Sequence, residues 1–420
     1  MDARRDSDAG PPPGLEATRV PGPVLDVLRR LKAAGHAAYL VGGAVRDLML
    51  DRPSHSAADW DIATSARPEA VEQLFEHTIP TGVEHGTVTV VVDHEPLEVT
   101  TFRGEGAYSD ARRPDAVHFL DDIDEDLARR DFTINAMAWD PLEAVFRDPF
   151  GGREDLARHL VRAVGDPLER FAEDGLRPMR AVRFATVLGF DIDRPTLEAI
   201  PQRLAQFERV AMERVSAELM KLLLAEDPAP GVRWLAETGL LRRIAPELEG
   251  QVEAAAVATA QVPPEERVRL AAFLHPLAPE AAARRIEALR LPKRLQRAVS
   301  TLLAALPDTV PAGDAGLRRL LARVGRTLAP DFLALWPATR PRDPAVAAAA
   351  ERARRLLAES PPLSIQDLAI SGADVMAHLG LGPGPQVGRH LARLLDAVLE
   401  DPRLNEREAL LARLGDADEA

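Results

Sequence analysis

Cysteine is absent from the chain, which excludes disulfides and thiolate metal sites. No uncharged apolar run reaches the length needed to span a bilayer, so a transmembrane helix is not expected. The opening stretch, "MDARRDSDAGPPPG", has basic residues but no apolar core after them, and reads as a disordered tail rather than a secretory signal. These absences fit a cytoplasmic protein. Lysine is nearly absent too: Lys32, Lys221 and Lys293 are the only ones, so almost all positive charge is arginine. GC-rich codon usage explains such a bias, and so does phosphate recognition, which suits the guanidinium fork. A net charge of −14 argues against non-specific nucleic-acid binding by the surface as a whole, while leaving room for local basic faces.

What is present is a soluble composition, 46% hydrophobic and 28% charged, over 420 residues. That length is too great for one core and predicts roughly two to four packed units. "PGPVLDVLRRLKAAGH" (21–36) predicts a helix, "AAYLVG" a strand, and "GAVRDLML" a helix start. "SHSAADWDIATSA" reads as a loop feeding a strand, "RPEAVEQLFE" as a helix, and "TVTVVVD" with "LEVTTF" as a hairpin. Strand patterns fade beyond residue 165, and proline-bearing breaks near 227–230, 262–264, 307–311, 339–344 and 361–362 separate helical blocks. The pattern is an α/β head followed by a long helical body.

Chemistry-bearing residues cluster in the head. "DWDIAT" (59–64) places Asp59 and Asp61 two apart in an expected strand, pointing the same way. A solvated edge accommodates that pair. So does a divalent cation, because hard cations such as Mg²⁺ take carboxylate oxygens together with substrate phosphates. Upstream, "LVGGAVRD" (40–47) runs from strand through Gly42 and Gly43 into a helix, with Arg46 one turn in. The same segment serves as an ordinary tight turn or as a phosphate cradle built from free N–H groups. Glu98 in "LEVTTFR" is either a solvent-facing strand residue or a third carboxylate facing the first two, as a two-metal site requires.

Taken together, "LVGGAVRD", "DWDIAT", "EVTTFR", "RRDFTINAMA" (129–138) and "EDGLRPMR" (173–180) occur in the order seen in the class II (bacterial-type) CCA-adding tRNA nucleotidyltransferase and poly(A) polymerase family, and residues 21 to 250 resemble that family. The resemblance implies an α+β protein: a polymerase-β-like nucleotidyltransferase head, a mixed sheet with flanking helices, then an all-α neck, body and tail. The expected division is a tail at 1–20, head at 21–147, neck at 148–250 and body with tail at 251–420. It further implies Mg²⁺-dependent, template-independent addition of C, C and A to the tRNA 3′ end from CTP and ATP. Asp59 and Asp61 would hold metal, with Glu98 assisting catalysis. An A-adding enzyme, a poly(A) polymerase and an inert RNA-binding relative are the alternatives.

The remaining motifs acquire roles in that frame. Asp131 stands at an expected helix start, where it can cap, and Asn135 four residues on shares its face. The family reading directs Arg129 and Arg130 toward the triphosphate and Asp131 toward the ribose hydroxyl. Asp174 and Arg177, three apart, are expected on one helical face. They suit a plain ion pair, or a base reader: cytosine and adenine present an amino donor beside a ring-nitrogen acceptor, which a carboxylate beside a guanidinium complements. Glu173 and Arg180 read as supports for that pair, and Pro178 as a kink or a local helix start. In the family, forms that add only CC lack a flexible loop where this chain carries "TFRGEGAYSDARRPDAVHFLDDI", with Arg103, Asp110, Arg112 and Arg113, so the resemblance disfavours an enzyme that adds only CC. Further on, "RVRLAAFLHPLAPE" (267–280) faintly resembles an HD phosphohydrolase segment, but His275 is followed by Pro276, so no metal is expected there. The basic stretches 284–298 and 316–326 are candidate faces for the tRNA backbone, or solvated helix faces.

Overall fold

Val24, Val27, Leu28 and Leu31 fall on one stripe of the Gly22–Ala33 helix, and all four are fully buried. The helix packs against the first strand of a sheet that carries Asp61 and Glu98, two of the candidate catalytic carboxylates. The protein is seen here as a computed structural model that describes residues 12–52, 60–82, 86–105 and 117–415. Its head strands are β1 (Ala38–Val41), β2 (Asp61–Thr64), β3 (Thr78–Gly82), β4 (Thr87–Val92), β5 (Glu95–Thr101), β6 (Arg103–Glu105), β7 (Val117–Phe119), β8 (Ala138–Asp140) and β9 (Val145–Arg147).

Seven of these form one mixed sheet in the order β3-β4-β5-β2-β1-β8-β9. β2 and β5 run parallel, and every other neighbouring pair is antiparallel. The expected β4–β5 hairpin is present. Its turn residues, Asp93 and His94, have φ of 52° and 67°, the left-handed pair that a two-residue turn requires to match strand twist. Along β5, Leu97 and Val99 are fully buried while Glu98 between them is exposed, so the period-two pattern fixes which face the carboxylate occupies. β6 and β7 pair separately as a short ribbon.

Three features depart from the expectation. β2 begins at Asp61, so Trp60 (3% exposed) precedes it and Asp59 lies outside the described residues. β3 and the three-residue strands β6 to β9 add to the predicted elements; they are too short, or in β3 too interrupted by Pro80, to show a period. Residues 12–20 are not a loose tail: Leu15 and Val20 are buried, and Arg19 donates to the Gly14 and Leu48 carbonyls and pairs with Asp51.

Beyond the head, the strand content among the described residues is the two-residue pair β10 (Leu160–Val161) and β11 (Asp191–Ile192). The chain forms two compact units: Met1–Leu222 with Trp234–Arg243, and Leu223–Arg233 with Ile244–Ala420. Residue 147, the expected head boundary, falls inside the first unit. In the second unit Phe332 and Trp336 stack at 5.8 Å in a helical core, and Val375, Leu394, Val398, Leu410 and Leu414 form a further apolar cluster. No helix among the described residues is long and apolar enough to cross a membrane.

Candidate active site

β1 ends at Val41 and the Gly43–Met49 helix begins two residues later, so the turn rests on Gly42. Gly42 has φ +67° and ψ −126°, and a Cβ there would lie 2.8 Å from Nη1 of Arg130. The backbone angle favours glycine, and a larger residue would also displace the end of the arginine that lies against it. Arg46 in the same helix is not a loose cation awaiting phosphate. Its Nε and Nη2 each sit 2.9 Å from the Asp47 carboxylate, its Nη1 donates to Asn135 Oδ1 at 2.6 Å, and its guanidinium lies 5.2 Å from the Phe184 ring centre.

Asp61 opens β2 and lies opposite Glu98 in the parallel β2–β5 register and opposite Val41 in the β1 register. Register partners on adjacent strands share a face, so the two carboxylates stand side by side. Asp61 Oδ2 is 3.8 Å from the position a Gly42 Cβ would take, which turns Asp61 toward the glycine turn. Both carboxylates are exposed. Two hard oxygen ligands so arranged suit a divalent cation. Among the described residues no group of three or more acidic or histidine side chains gathers for a metal, and Asp59, the other expected ligand, lies outside them.

Asp131 is the centre of a buried network. Its Oδ1 accepts from the Phe132 N–H (2.9 Å) and from Asn135 Nδ2 (3.2 Å), and its Oδ2 accepts from Arg180 Nε (2.7 Å). Asp131 therefore does not cap an α-helix. The segment after it is a three-residue 3₁₀ turn, Thr133–Asn135, yet the expected Asp131–Asn135 proximity holds. Burial alone would raise the Asp131 pKa; the charges of Arg180 and Arg177 and the hydrogen bonds from Arg180 and Asn135 override it and bring the pKa down to about 2. The carboxylate is thus a permanent acceptor.

The arginine pair before it is also organised. Asp126, 1% exposed, accepts from Arg129 Nε and Nη2 (3.0 and 2.8 Å), from Arg130 Nη2 (3.4 Å) and from the Arg103 backbone N–H at the start of β6 (3.2 Å). Burial pushes the Asp126 carboxyl up, but the Arg129 and Arg130 guanidinium groups outweigh it and hold it below the usual range. Asp110, Arg112 and Arg113 of the same loop lie outside the described residues.

Asp174 and Arg177 do not share a helical face. The Pro167–Glu173 helix ends before Asp174, which is extended, and the next helix, Arg177–Leu188, starts at Arg177 with Pro178 in its first turn. Pro178 thus marks a helix start, where its missing N–H costs nothing. The pair stays close because the Arg177 N–H donates to the Asp174 carbonyl at 3.0 Å. Each side chain has separate anchors. Asp174 accepts from the Leu176 N–H and from Arg214 Nη2, both at 2.9 Å. Arg177 bonds Glu173 and the carbonyls of Arg170 (2.9 Å) and Arg129 (3.0 Å). Glu173 therefore supports Arg177, as expected, whereas Arg180 supports Asp131.

These pieces border one cavity of about 400 Å³, whose lining includes Gly42, Gly43, Arg46, Asp61, Arg129, Arg130, Asp131, Asn135, Asp174, Arg177 and Arg180. Glu98 stands outside that lining. Phe184 lines it too and escaped the sequence reading, although Arg177, Arg180 and Phe184 recur at helical spacing. Asp126 and Arg214 were also missed: one hides in an acidic run, and the other lies 40 residues from its partner. His275 ends the Glu266–Leu274 helix with Nδ1 2.8 Å from the Ala272 carbonyl oxygen, and burial holds its pKa below the usual value.

Comparison with known proteins covers most of the chain. Residues 38–162 match the family model "Poly A polymerase head domain", 189–251 match "Probable RNA and SrmB- binding site of polymerase A", and 263–414 match tRNA nucleotidyltransferase domain 2. The CCA-adding enzyme of Geobacillus stearothermophilus is 38% identical over 395 residues, covering 93% of this chain and 95% of that protein. The CCA-adding enzyme of Limosilactobacillus reuteri (strain DSM 20016) is 38% identical over 406 residues, covering 93% and 96%. The crystal structure of Bacillus stearothermophilus CCA-adding enzyme in complex with CTP superimposes with a TM-score of 0.79 at 35% identity, covering 94% of this chain and 97% of that one.

Proposed function

The chain belongs to the CCA-adding enzyme family, and on that premise we propose that it builds the CCA end of tRNA from CTP and ATP through the cavity described above. The reaction joins the tRNA 3′-hydroxyl oxygen to the α-phosphorus of the nucleotide and releases pyrophosphate. No template strand supplies the choice of base, so the protein must supply it.

The observation that carries this reading is the convergence of three kinds of group on one cavity: the glycine turn with Arg129 and Arg130, the ionised Asp131, and the anchored Asp174 and Arg177. The turn and arginines bind the triphosphate. Asp131 accepts a hydrogen bond from a ribose hydroxyl, which a deoxyribonucleotide lacks at the 2′ position. Asp174 retains acceptor capacity after its two protein donors, since a carboxylate offers about four lone-pair sites. With the Arg177 fork beside it, the pair matches the donor–acceptor edge of C and A. U and G reverse that order and would leave charged groups unpaired, a penalty that drives strong discrimination.

The nucleotidyltransferases of this type are divalent-metal dependent. Asp61, with Glu98 beside it, and Asp59 would hold Mg²⁺, which when bound neutralises phosphoryl oxygens and favours the ionised attacking hydroxyl. A reaction on tRNA with CTP and ATP belongs in the cytoplasm.

The test uses tRNA transcripts ending before CCA, after one C and after CC, with CTP and ATP supplied singly and together. Product lengths should show C addition from CTP alone, A addition from ATP alone only after CC, and complete CCA with both. A long A ladder would assign poly(A) synthesis, and ATP use confined to CC ends with no C addition would assign an A-adding enzyme.

A further inference from the structure

Of the two basic stretches singled out in the sequence, one has most of its arginines engaged by the protein itself. In the Gly313–Val324 helix, Arg318 is buried and donates to the Leu399 and Glu400 carbonyls at 2.6 and 2.7 Å. Arg319 pairs with Asp396 (2.7 Å) and Glu400 (2.9 Å), and Arg326 just beyond donates to the Pro361 carbonyl at 2.6 Å. Those cations hold helices together.

The Lys293–Ala304 helix is different. Leu295, Val299 and Leu302 are buried and seat it in the second unit. Its outer face presents Lys293, Arg294 and Arg297, all exposed, and its twelve residues include no Asp or Glu. Among the described residues none of the three makes an ion pair; Lys293 reaches only the neutral Oε1 of Gln296, at 3.3 Å. Lys293 and Arg294 occupy the first turn, where the helix dipole disfavours cations, and no acidic residue there offsets them. A chain with 66 acidic residues has thus left three like charges together on one helix face that holds no carboxylate of its own, and among the described residues none of the three is ion-paired. Arg389 and Arg393 of the Pro385–Glu400 helix are also exposed, but that helix carries Asp396 and Glu400 as well.

We infer that Lys293, Arg294 and Arg297 form a docking face for tRNA backbone phosphates, an inference that rests on the proposed function and locates its macromolecular substrate. Polyanion phosphates complement a rigid, carboxylate-free row of cations, and binding there releases counterions without reading sequence. None of the three residues lines the nucleotide cavity.

The experiment uses the full chain carrying K293Q/R294Q/R297Q, since glutamine keeps helix propensity and removes charge. Affinity for a tRNA transcript lacking CCA is measured from 50 to 200 mM KCl, alongside KM for CTP at saturating tRNA. Each lost phosphate contact should remove roughly threefold from the affinity change across that salt range. The tRNA KM should rise about tenfold or more, with KM for CTP unchanged. R319Q, which removes an internally paired cation, should leave the salt dependence as it was. A triple variant with native circular dichroism and the wild-type salt dependence overturns the inference and assigns the face to a partner other than tRNA. If the triple variant does not fold, Arg297→Glu is read in the same way. Absence of CCA addition by the wild type would defeat the proposed function alone, because the binding measurement is independent of turnover.

Discussion

Arg180 grips a single oxygen of Asp131, Oδ2, with both Nε at 2.7 Å and Nη2 at 2.6 Å. The other oxygen is held by Asn135, whose side-chain Oδ1 accepts from Arg46. Four side chains thus link the glycine turn to the Arg177–Leu188 helix through a carboxylate that is 8% exposed. Candidate nucleotide-binding groups from distant parts of the sequence are set by one another, an arrangement that limits the ordering cost of binding a ligand.

That network makes Asp131 an acid-sensitive part of the fold. Its folded pKa of about 2 lies below the unfolded value of about 4. The stability it contributes is therefore fully present above the unfolded pKa and is lost as pH falls from about 4 through 2. The linkage amounts to about 2 kcal/mol at neutral pH. Asp131→Asn keeps the shape and removes the ionisation. Urea unfolding at pH steps from 5 to 2 should show a steeper acid loss in wild type than in the variant, by about that amount; parallel curves would mean the carboxylate is not held as described.

Asp61 is exposed at the start of β2, so Asp61→Ala should leave the thermal midpoint within a few degrees of wild type. Incorporation of CTP should nevertheless drop by at least ~10³-fold, because removing a group that stabilises transition-state charge costs several kcal/mol. Asp59→Ala should behave alike. Chelation by EDTA should stop the wild-type reaction and added Mg²⁺ restore it. Wild-type-like turnover in either alanine variant would end the metal assignment.

The head was legible in the sequence where residues carry a local physical signature. The Gly22–Ala33 helix shows a complete apolar stripe, and the β4–β5 hairpin shows alternation with its turn between. The site residues came from motif order rather than periodicity, and most of them line one cavity. Spacing misled in one place: Asp174 and Arg177 are three apart but belong to the end of one helix and the start of the next, divided just before Pro178. What escaped altogether were partners defined only by folding. Asp126 looks like any acid in "DIDEDLARRD", and nothing local ties Arg214 to Asp174.

The split anchoring of Asp174 and Arg177 has a kinetic consequence. Asp174→Ala removes one half of the proposed base reader and leaves Arg214 without its carboxylate. CTP and ATP should each lose roughly 10²-fold or more in kcat/KM, while UTP and GTP, which gain nothing from that carboxylate, should change far less. The ratio of CTP to UTP incorporation is the quantity to measure. Equal losses for all four nucleotides would make Asp174 a structural residue and not a reader.

Gly42→Ala tests whether the turn is shaped for backbone approach. At φ +67° and ψ −126° an alanine is strained by about 1–3 kcal/mol. Its methyl would also fall 2.8 Å from Arg130 Nη1, the far end of a flexible side chain, so the arginine and not the backbone should give way. The variant should therefore fold with a lowered midpoint and show a raised KM for both CTP and ATP, because Arg130 leaves its place beside the turn. The base preference should survive, since Asp174 and Arg177 are anchored to Arg214 and Glu173, away from Gly42. A variant that lost base preference while keeping nucleotide affinity would show that the turn and the base reader are coupled in a way these contacts do not provide.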